Sequence, residues 1–120
     1  MPQVRRLTSP RPRLAVPPRE SPRLRGYNAR WDAYSKKYRQ KHPFCAMCHQ
    51  GGRMTFADLV DHKFPVADGG EMFPGFAGLW SLCVPCHGVK GALEQLARST
   101  GQMEQLVRWC DEPQVRPRVF

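Results

Sequence analysis

The segments Cys45-Ala-Met-Cys48 and Cys83-Val-Pro-Cys86-His87 decide the fold of this chain. Each contains a C-x-x-C pair, and two such pairs separated by a few tens of residues supply four thiolates for a tetrahedral Zn²⁺. An ion with four protein ligands has no open position for chemistry, so the predicted zinc is structural. We therefore expect zinc on Cys45, Cys48, Cys83 and Cys86 to hold the stretch between the two pairs in place.

The length of 120 residues allows one domain, which we predict to span residues 26–110. Residues 1–25 are rich in Arg and Pro and are predicted to form a flexible basic arm, and residues 111–120 a flexible tail. A core this small usually needs extra stabilisation. Zinc ligation provides it, because the free energy of metal binding is also free energy of folding.

The charge of the chain indicates a polyanionic partner. The formal net charge is +9, which fits either nucleic acid or an anionic membrane surface. Residues 1–25 hold seven arginines against the single acid Glu20, a net +6. Counterion release rewards such an arm on DNA. We therefore predict DNA as the partner, with arm residues Arg19, Arg23 and Arg25 binding phosphates.

The sequence favours a cytoplasmic location without a membrane partner. No stretch approaches the roughly 18 apolar residues that a membrane span requires. The N-terminus has no apolar segment of the kind found in secretory signals. In a reducing compartment, C-x-x-C pairs are metal sites more often than disulfides.

Hydrophobic spacing and the positions of Gly and Pro predict an α+β fold. Trp31, Tyr34 and Tyr38 fall at helical spacing, so we expect them on the core-facing side of a first helix. The predicted elements are, in order, a helix from the N-cap Asn28 to Gln40, strands over Met54–Phe56 and Leu59–Val66, a loop over 67–78, a strand over Leu79–Leu82, and helices over Pro85–Arg98 and Gly101–Cys110.

Four motifs together resemble the zinc-knuckle HNH endonucleases, notably the small ones of phages. They are Cys45-x-x-Cys48, Val60-Asp61-His62-Lys63-Phe64-Pro65, Asp68-Gly69-Gly70 and Leu79-x-x-Leu82-Cys83-x-x-Cys86-His87-x-x-Lys90. The match covers about residues 27–98, and the joint spacing is specific although each motif alone is weak. The resemblance implies a ββα-metal core and DNA cleavage with one divalent cation, commonly Mg²⁺, Mn²⁺, Ni²⁺ or Zn²⁺. It also suggests a phage terminase as a partner and no small-molecule substrate.

The chemistry of these residue types agrees with the roles that the resemblance implies. Phosphodiester hydrolysis requires water to lose a proton, and an imidazole accepts one near neutral pH, so His62 is the predicted general base. A carboxylate and a neutral imidazole can hold a divalent cation with positions left open, so Asp61 and His87 are the predicted ligands. Lys63 and Lys90 are predicted to contact DNA phosphates.

Two features bear on whether this site works. Consecutive residues of a regular strand face opposite sides, so we predict a twist or bulge that lets Asp61 and His62 aim at one phosphate. In the family an asparagine generally braces the loop before the Leu-x-x-Leu-Cys strand, and here that position is Gly78. We expect its loss to affect loop order and catalytic rate, but not the Asp61–His87 pair.

Three alternatives use the same residues. The chain can be a zinc-ribbon module that binds DNA or a phage terminase without cutting. Both pairs are also C-x-x-C-H, the attachment signature of c-type haem, so a dihaem electron carrier is a second alternative. Finally, His87 can replace one cysteine as a zinc ligand, although four cysteines make that unnecessary.

Overall fold

Two short antiparallel strands lie at the centre of the fold. The structure is a computed structural model that describes residues 22–119, with side chains from residue 28 onward. Strand β1 (Leu59–His62) pairs with β2 (Leu79–Leu82) in an unbroken register. All of β2 is buried and β1 is partly exposed, so β2 is the inner strand. Helices pack around this pair to give a small α+β fold, as the sequence predicted.

Strand β1 is shorter than the sequence predicted. It ends at His62 and does not continue to Val66, because the chain turns at Pro65 into a 3₁₀ turn over Val66–Asp68. That turn ends at Gly69, whose φ of 100° lies in the region that favours glycine. The turn therefore separates β1 from the long connection to β2.

Helix α1 (Pro22–Lys41) packs one face against the strands and their connection. It begins at Pro22, well before the predicted N-cap Asn28, since proline's fixed φ suits the first helical turn. Residues 22–25 of the predicted arm are therefore helical, and residues 1–21 lie outside the described part of the chain. The predicted core-facing stripe is confirmed at Tyr38, which is buried and donates its hydroxyl hydrogen bond to the Leu79 carbonyl at 3.1 Å.

The first C-x-x-C pair opens helix α2 (Ala46–Gln50). Cys45 caps this helix, since its sulfur accepts a hydrogen bond from the Cys48 amide at 3.4 Å. The strand predicted at Met54–Phe56 is reduced to one bridge, between Phe44 and Phe56. This segment therefore serves to close the loop after α2.

Helix α3 (Val84–Thr100) carries the second half of the site. It starts directly after Cys83, has Pro85 in its first turn and ends at Gly101, whose φ is 68°. The left-handed conformation at Gly101 stops α3 and prevents the predicted last helix from starting there. A 3₁₀ turn over Met103–Gln105 instead leads into α4 (Leu106–Asp111).

Two apolar clusters divide the core. One surrounds the four cysteines and includes Trp80, Leu82 and Cys110, and the other joins α3 to α4 through buried Leu93 and Trp109. Among the described residues, no helix is both long and apolar enough to cross a membrane.

The prediction of a flexible tail after residue 110 is wrong for the part that the structure describes. Val115 and Val119 pack against the α3–α4 cluster. Arg116 donates to the Trp109 carbonyl at 2.7 Å and to the Gln50 side chain at 2.6 Å. These contacts attach the C-terminal segment to both α4 and α2.

Candidate functional site

The four cysteines of the two C-x-x-C pairs come together as predicted. Their sulfur atoms all lie within 4.8 Å of one another, and all four residues are buried. Four sulfurs bonded to a tetrahedral zinc at 2.3 Å lie about 3.8 Å apart. The Sγ atom of Cys48 is 3.8 Å from that of Cys83 and 3.7 Å from that of Cys86. The cluster is therefore positioned to hold a metal ion and has the spacing of a structural zinc site.

The surroundings of the cluster favour the thiolate form of Cys48. Hydrogen bonds from Thr55 and Arg53 lower the pKa of Cys48 to about 6, and the Arg53 guanidinium lies 3.3 Å from its sulfur. Burial raises the pKa of Cys86. A bound cation is what stabilises the thiolate form of all four together, so metal and fold depend on each other. Because all four sulfurs share one cluster, the pairs are not arranged to hold two separate haems.

Asp61 and His87 also come together, from β1 and the first turns of α3. Asp61 Oδ1 lies 3.7 Å from His87 Nε2, which is close enough for one ion to contact both. The Asp61 side chain is 13% exposed and that of His87 is 51% exposed, so the pair borders solvent. His87 follows Cys86 directly and yet lies against Asp61, apart from the cysteine cluster, as the rotation of about 100° per helical residue predicts.

Lys90 is buried, and the prediction that it contacts a phosphate is wrong. It is fully buried, and its ammonium donates to Asp61 Oδ2 at 2.7 Å, to the His62 carbonyl at 2.9 Å and to Glu94 Oε2 at 2.5 Å. Trp80 Nε1 donates to the same Asp61 oxygen at 3.0 Å. Lys90 therefore anchors the carboxylate of Asp61 from inside the protein, with Oδ1 turned toward His87.

His62 lies on the other face of β1 from Asp61. The predicted bulge between them is not present, because the pairing with β2 is regular through His62. The His62 ring stacks on Trp31 of α1 with centroids 4.4 Å apart, and its Nε2 lies 2.8 Å from the Met72 carbonyl oxygen. The residue is thus held by α1 on one side and by the connection to β2 on the other.

Aromatic contacts with α1 hold the connection between β1 and β2 near Gly78. Tyr34 donates a hydrogen bond to the Pro74 carbonyl, and its ring meets Phe73 edge-on at 5.3 Å. A Cβ atom at Gly78 would lie only 2.8 Å from Pro74 Cβ. Glycine at 78 therefore lets Pro74 pack closely there, and a larger residue does not fit without movement.

The remaining predicted contacts have mixed outcomes. Lys63 forms an ion pair with Asp111 at 2.6 Å and is mostly buried, so its charge is already compensated. Arg23 and Arg25 lie in α1, where their side chains are not described, and Arg19 lies outside the described residues.

Sequence reasoning missed Glu94 and Trp31. Glu94 lies four residues after Lys90 on α3, and that i, i+4 spacing is a signal that indicates an ion pair. Trp31 was assigned only to the core, and no local pattern indicates which side chain it contacts.

Comparison of the chain with protein-family models, curated proteins and solved structures found no match. Function is therefore inferred from the chain's own residues.

Proposed function

We propose that the chain is a metal-dependent DNA endonuclease of the HNH type. The observation that carries the proposal is the approach of Asp61 and His87, which belong to different elements and form a carboxylate–imidazole pair at the edge of the protein. Two antiparallel strands followed by a helix supply that pair, and the cysteine cluster lies beside it. Function is thus assigned to Asp61, His62 and His87, while the cysteines stabilise the scaffold.

The hydrogen bond of His62 suits it to act as a general base. A peptide carbonyl only accepts hydrogen bonds, so the Nε2 atom that faces Met72 must carry a proton. In the neutral ring, Nδ1 then keeps a lone pair and can take a proton from water. Stacking on Trp31 limits rotation of the ring, so this tautomer and orientation are maintained together.

The Asp61–His87 pair fits a divalent cation with one oxygen and one nitrogen ligand. Oδ2 of Asp61 already accepts from Lys90 and Trp80, which leaves Oδ1 for the ion. Such an ion would stabilise negative charge on the phosphoryl group and the leaving oxygen. Among the described residues, only the four cysteines form a group of three or more potential ligands. With two protein ligands at this second site, water and phosphate oxygens are left to complete the coordination.

The decisive experiment is plasmid cleavage with Mg²⁺, Mn²⁺ or Ni²⁺ by the wild type and by His62→Ala. We expect the variant to lose at least about 100-fold in rate, which is the lower end of what general-base catalysis contributes. His49→Ala is the matched control, because His49 is exposed and lies on α2, which carries none of the residues proposed for catalysis. All three proteins should contain one zinc per chain. Equal cleavage by His62→Ala and wild type would overturn the mechanism.

A second candidate is a non-cleaving zinc module that binds DNA or a phage terminase. The observation that favours it is the regular β1 strand, which directs Asp61 and His62 to opposite faces. This candidate predicts DNA binding without cleavage in every divalent metal. It also predicts that His62→Ala binds as the wild type does.

A further inference from the structure

Helix α1 concentrates positive charge on one side of the molecule. Residues 22–41 contain seven Lys and Arg residues and the single acid Asp32. Residues 45–120 contain seven Lys and Arg residues but eight Asp and Glu residues, so they carry no positive excess. All of the surplus positive charge of the chain therefore lies at or before residue 44.

Three lysines of α1 are exposed on a common side of the helix. Lys36, Lys37 and Lys41 are spaced so that they lie within about 140° around the helix axis. None of them takes part in an ion pair among the described residues. We call these three lysines the α1 basic face.

Cations of α3 and α4 behave differently. Lys90 pairs with Asp61 and Glu94, and Arg98 pairs with Asp68 at 2.7 Å. On α4, Arg108 pairs with Glu112 at 3.3 Å. Those charges are compensated within the protein, whereas the charges of the α1 basic face remain available to an external anion.

The helix that carries the α1 basic face runs alongside the proposed catalytic strand. Trp31 stacks on His62, and Arg39 donates to the Asp58 carbonyl at 2.8 Å, so α1 lies antiparallel to β1. The five-residue step from Lys36 to Lys41 spans about 7.5 Å of helix. That length corresponds to about two nucleotide steps along a DNA strand, at about 3.4 Å of axial rise per nucleotide.

An aromatic side chain lies at the far end of this surface. Phe56 is 71% exposed, stacks on Phe44 with centroids 5.1 Å apart, and lines a shallow depression with Lys36 and Arg39. Exposed aromatic rings beside cations are a common feature of surfaces that contact sugars and bases. At the other end, Lys37 lines a depression with Phe73, next to the Met72 carbonyl that holds His62.

We infer that the α1 basic face binds the DNA backbone and delivers a phosphate to the side of β1 where His62 lies. The occupant is a nucleic-acid strand because the surface offers uncompensated cations in a row, and an acidic partner of extended, regular charge complements it. The inference rests on the proposed function for the identity of the nucleic acid as DNA. It adds the direction of approach, from the α1 side and not from the α3 side, where Lys90 and Arg98 are paired with acids.

The test is the salt dependence of binding to a short fluorescent DNA duplex, measured by anisotropy without added divalent cation. The slope of log K against log salt is negative, and each lost phosphate contact reduces its magnitude by about 0.9, so Lys36→Gln/Lys37→Gln/Lys41→Gln should reduce the magnitude by about 2.7. The same triple substitution to Arg keeps the charges and should keep the slope. Arg108→Gln removes one exposed but paired charge and should change it by well under 1.

The outcomes separate this inference from the proposed function. A triple Gln variant that folds normally and keeps the wild-type slope overturns the inference, even if the wild type cleaves DNA. A protein that never cleaves, but whose slope decreases in magnitude by two or more in the Gln variant and recovers in the Arg variant, supports the inference and refutes the nuclease. Unfolding of each variant in urea confirms that the folded state is unchanged.

Discussion

Replacing Lys90 by Met should strongly destabilise the protein. The substitution removes the buried ammonium from Asp61 Oδ2, Glu94 Oε2 and the His62 carbonyl, all within 2.9 Å. Removing one partner of a buried ion pair costs about 3–5 kcal/mol, because the remaining charge is left uncompensated. The side chains of Asp61 and Glu94 keep 13% and 19% of their exposure, so water can solvate them in part. We therefore expect the free energy of unfolding to fall by an amount near the lower end of that range, about 3 kcal/mol.

Urea unfolding followed by circular dichroism measures this loss with zinc retained. Lys37→Met is the matched control, because Lys37 is exposed, and it should change the free energy of unfolding by less than about 0.5 kcal/mol. In the double variant Lys90→Met/Glu94→Gln one of the uncompensated charges is also removed. Its destabilisation should therefore be smaller than the sum of the single effects, by about 1 kcal/mol or more. A loss below 1 kcal/mol in Lys90→Met would refute the role of the buried ion pair.

The same ion pair has a defined pH dependence. Burial lowers the pKa of Lys90, but attraction to Asp61 and Glu94 outweighs it and raises the pKa above the ordinary value of 10.5. A raised pKa means that the ammonium contributes its full stabilisation below pH 10.5 and loses it as the pH rises through the folded-state value. The difference in unfolding free energy between the wild type and Lys90→Met should therefore be constant near neutral pH. It should shrink at pH values above 10.5.

Two further predictions concern the loop and the metal. Gly78→Asn, which introduces the residue type expected from the resemblance to HNH endonucleases, should destabilise the protein by about 1–3 kcal/mol, because its Cβ would lie 2.8 Å from Pro74 Cβ. Gly75→Asn, where a Cβ meets nothing within 4 Å, should cost less than about 0.5 kcal/mol in the same urea experiment, and equal costs would contradict this account. Removing the metal with a strong chelator should abolish the helical circular dichroism signal, and added Zn²⁺ should restore it. A metal-free protein that keeps its helical signal would show that the cysteine cluster does not depend on an ion.

Local sequence patterns were sufficient for the elements that define the fold. The strand Leu79–Leu82 and the helix that follows it were predicted because a mostly apolar run leads into a C-x-x-C pair with proline at the helix start. The cysteine cluster was predictable because ligand type and spacing alone specify a tetrahedral site. The proximity of Asp61 and His87 was expected from the resemblance to HNH endonucleases and is present in the structure.

Boundaries were predicted less well than elements. Asn28 has the chemistry of an N-cap, yet α1 continues through it back to Pro22. Packing of Val115 and Val119 against the α3–α4 cluster fixes a tail that is rich in Arg and Pro. Neither a residue with N-cap chemistry nor a composition typical of flexible chain fixes a boundary by itself. Contacts with distant residues also contribute.

The sequence by itself determined the four cysteines of the candidate metal site and the order of the strands and helix, and it supplied the residues that we propose for hydrolysis. Only the tertiary structure decided what each of those residues contacts. Lys90 is buried because α3 packs over β1, and His62 is held by Trp31 because α1 crosses the other face of the same strand. Spacing along a chain records local geometry and ligand chemistry, whereas burial and pairing depend on which distant segments meet.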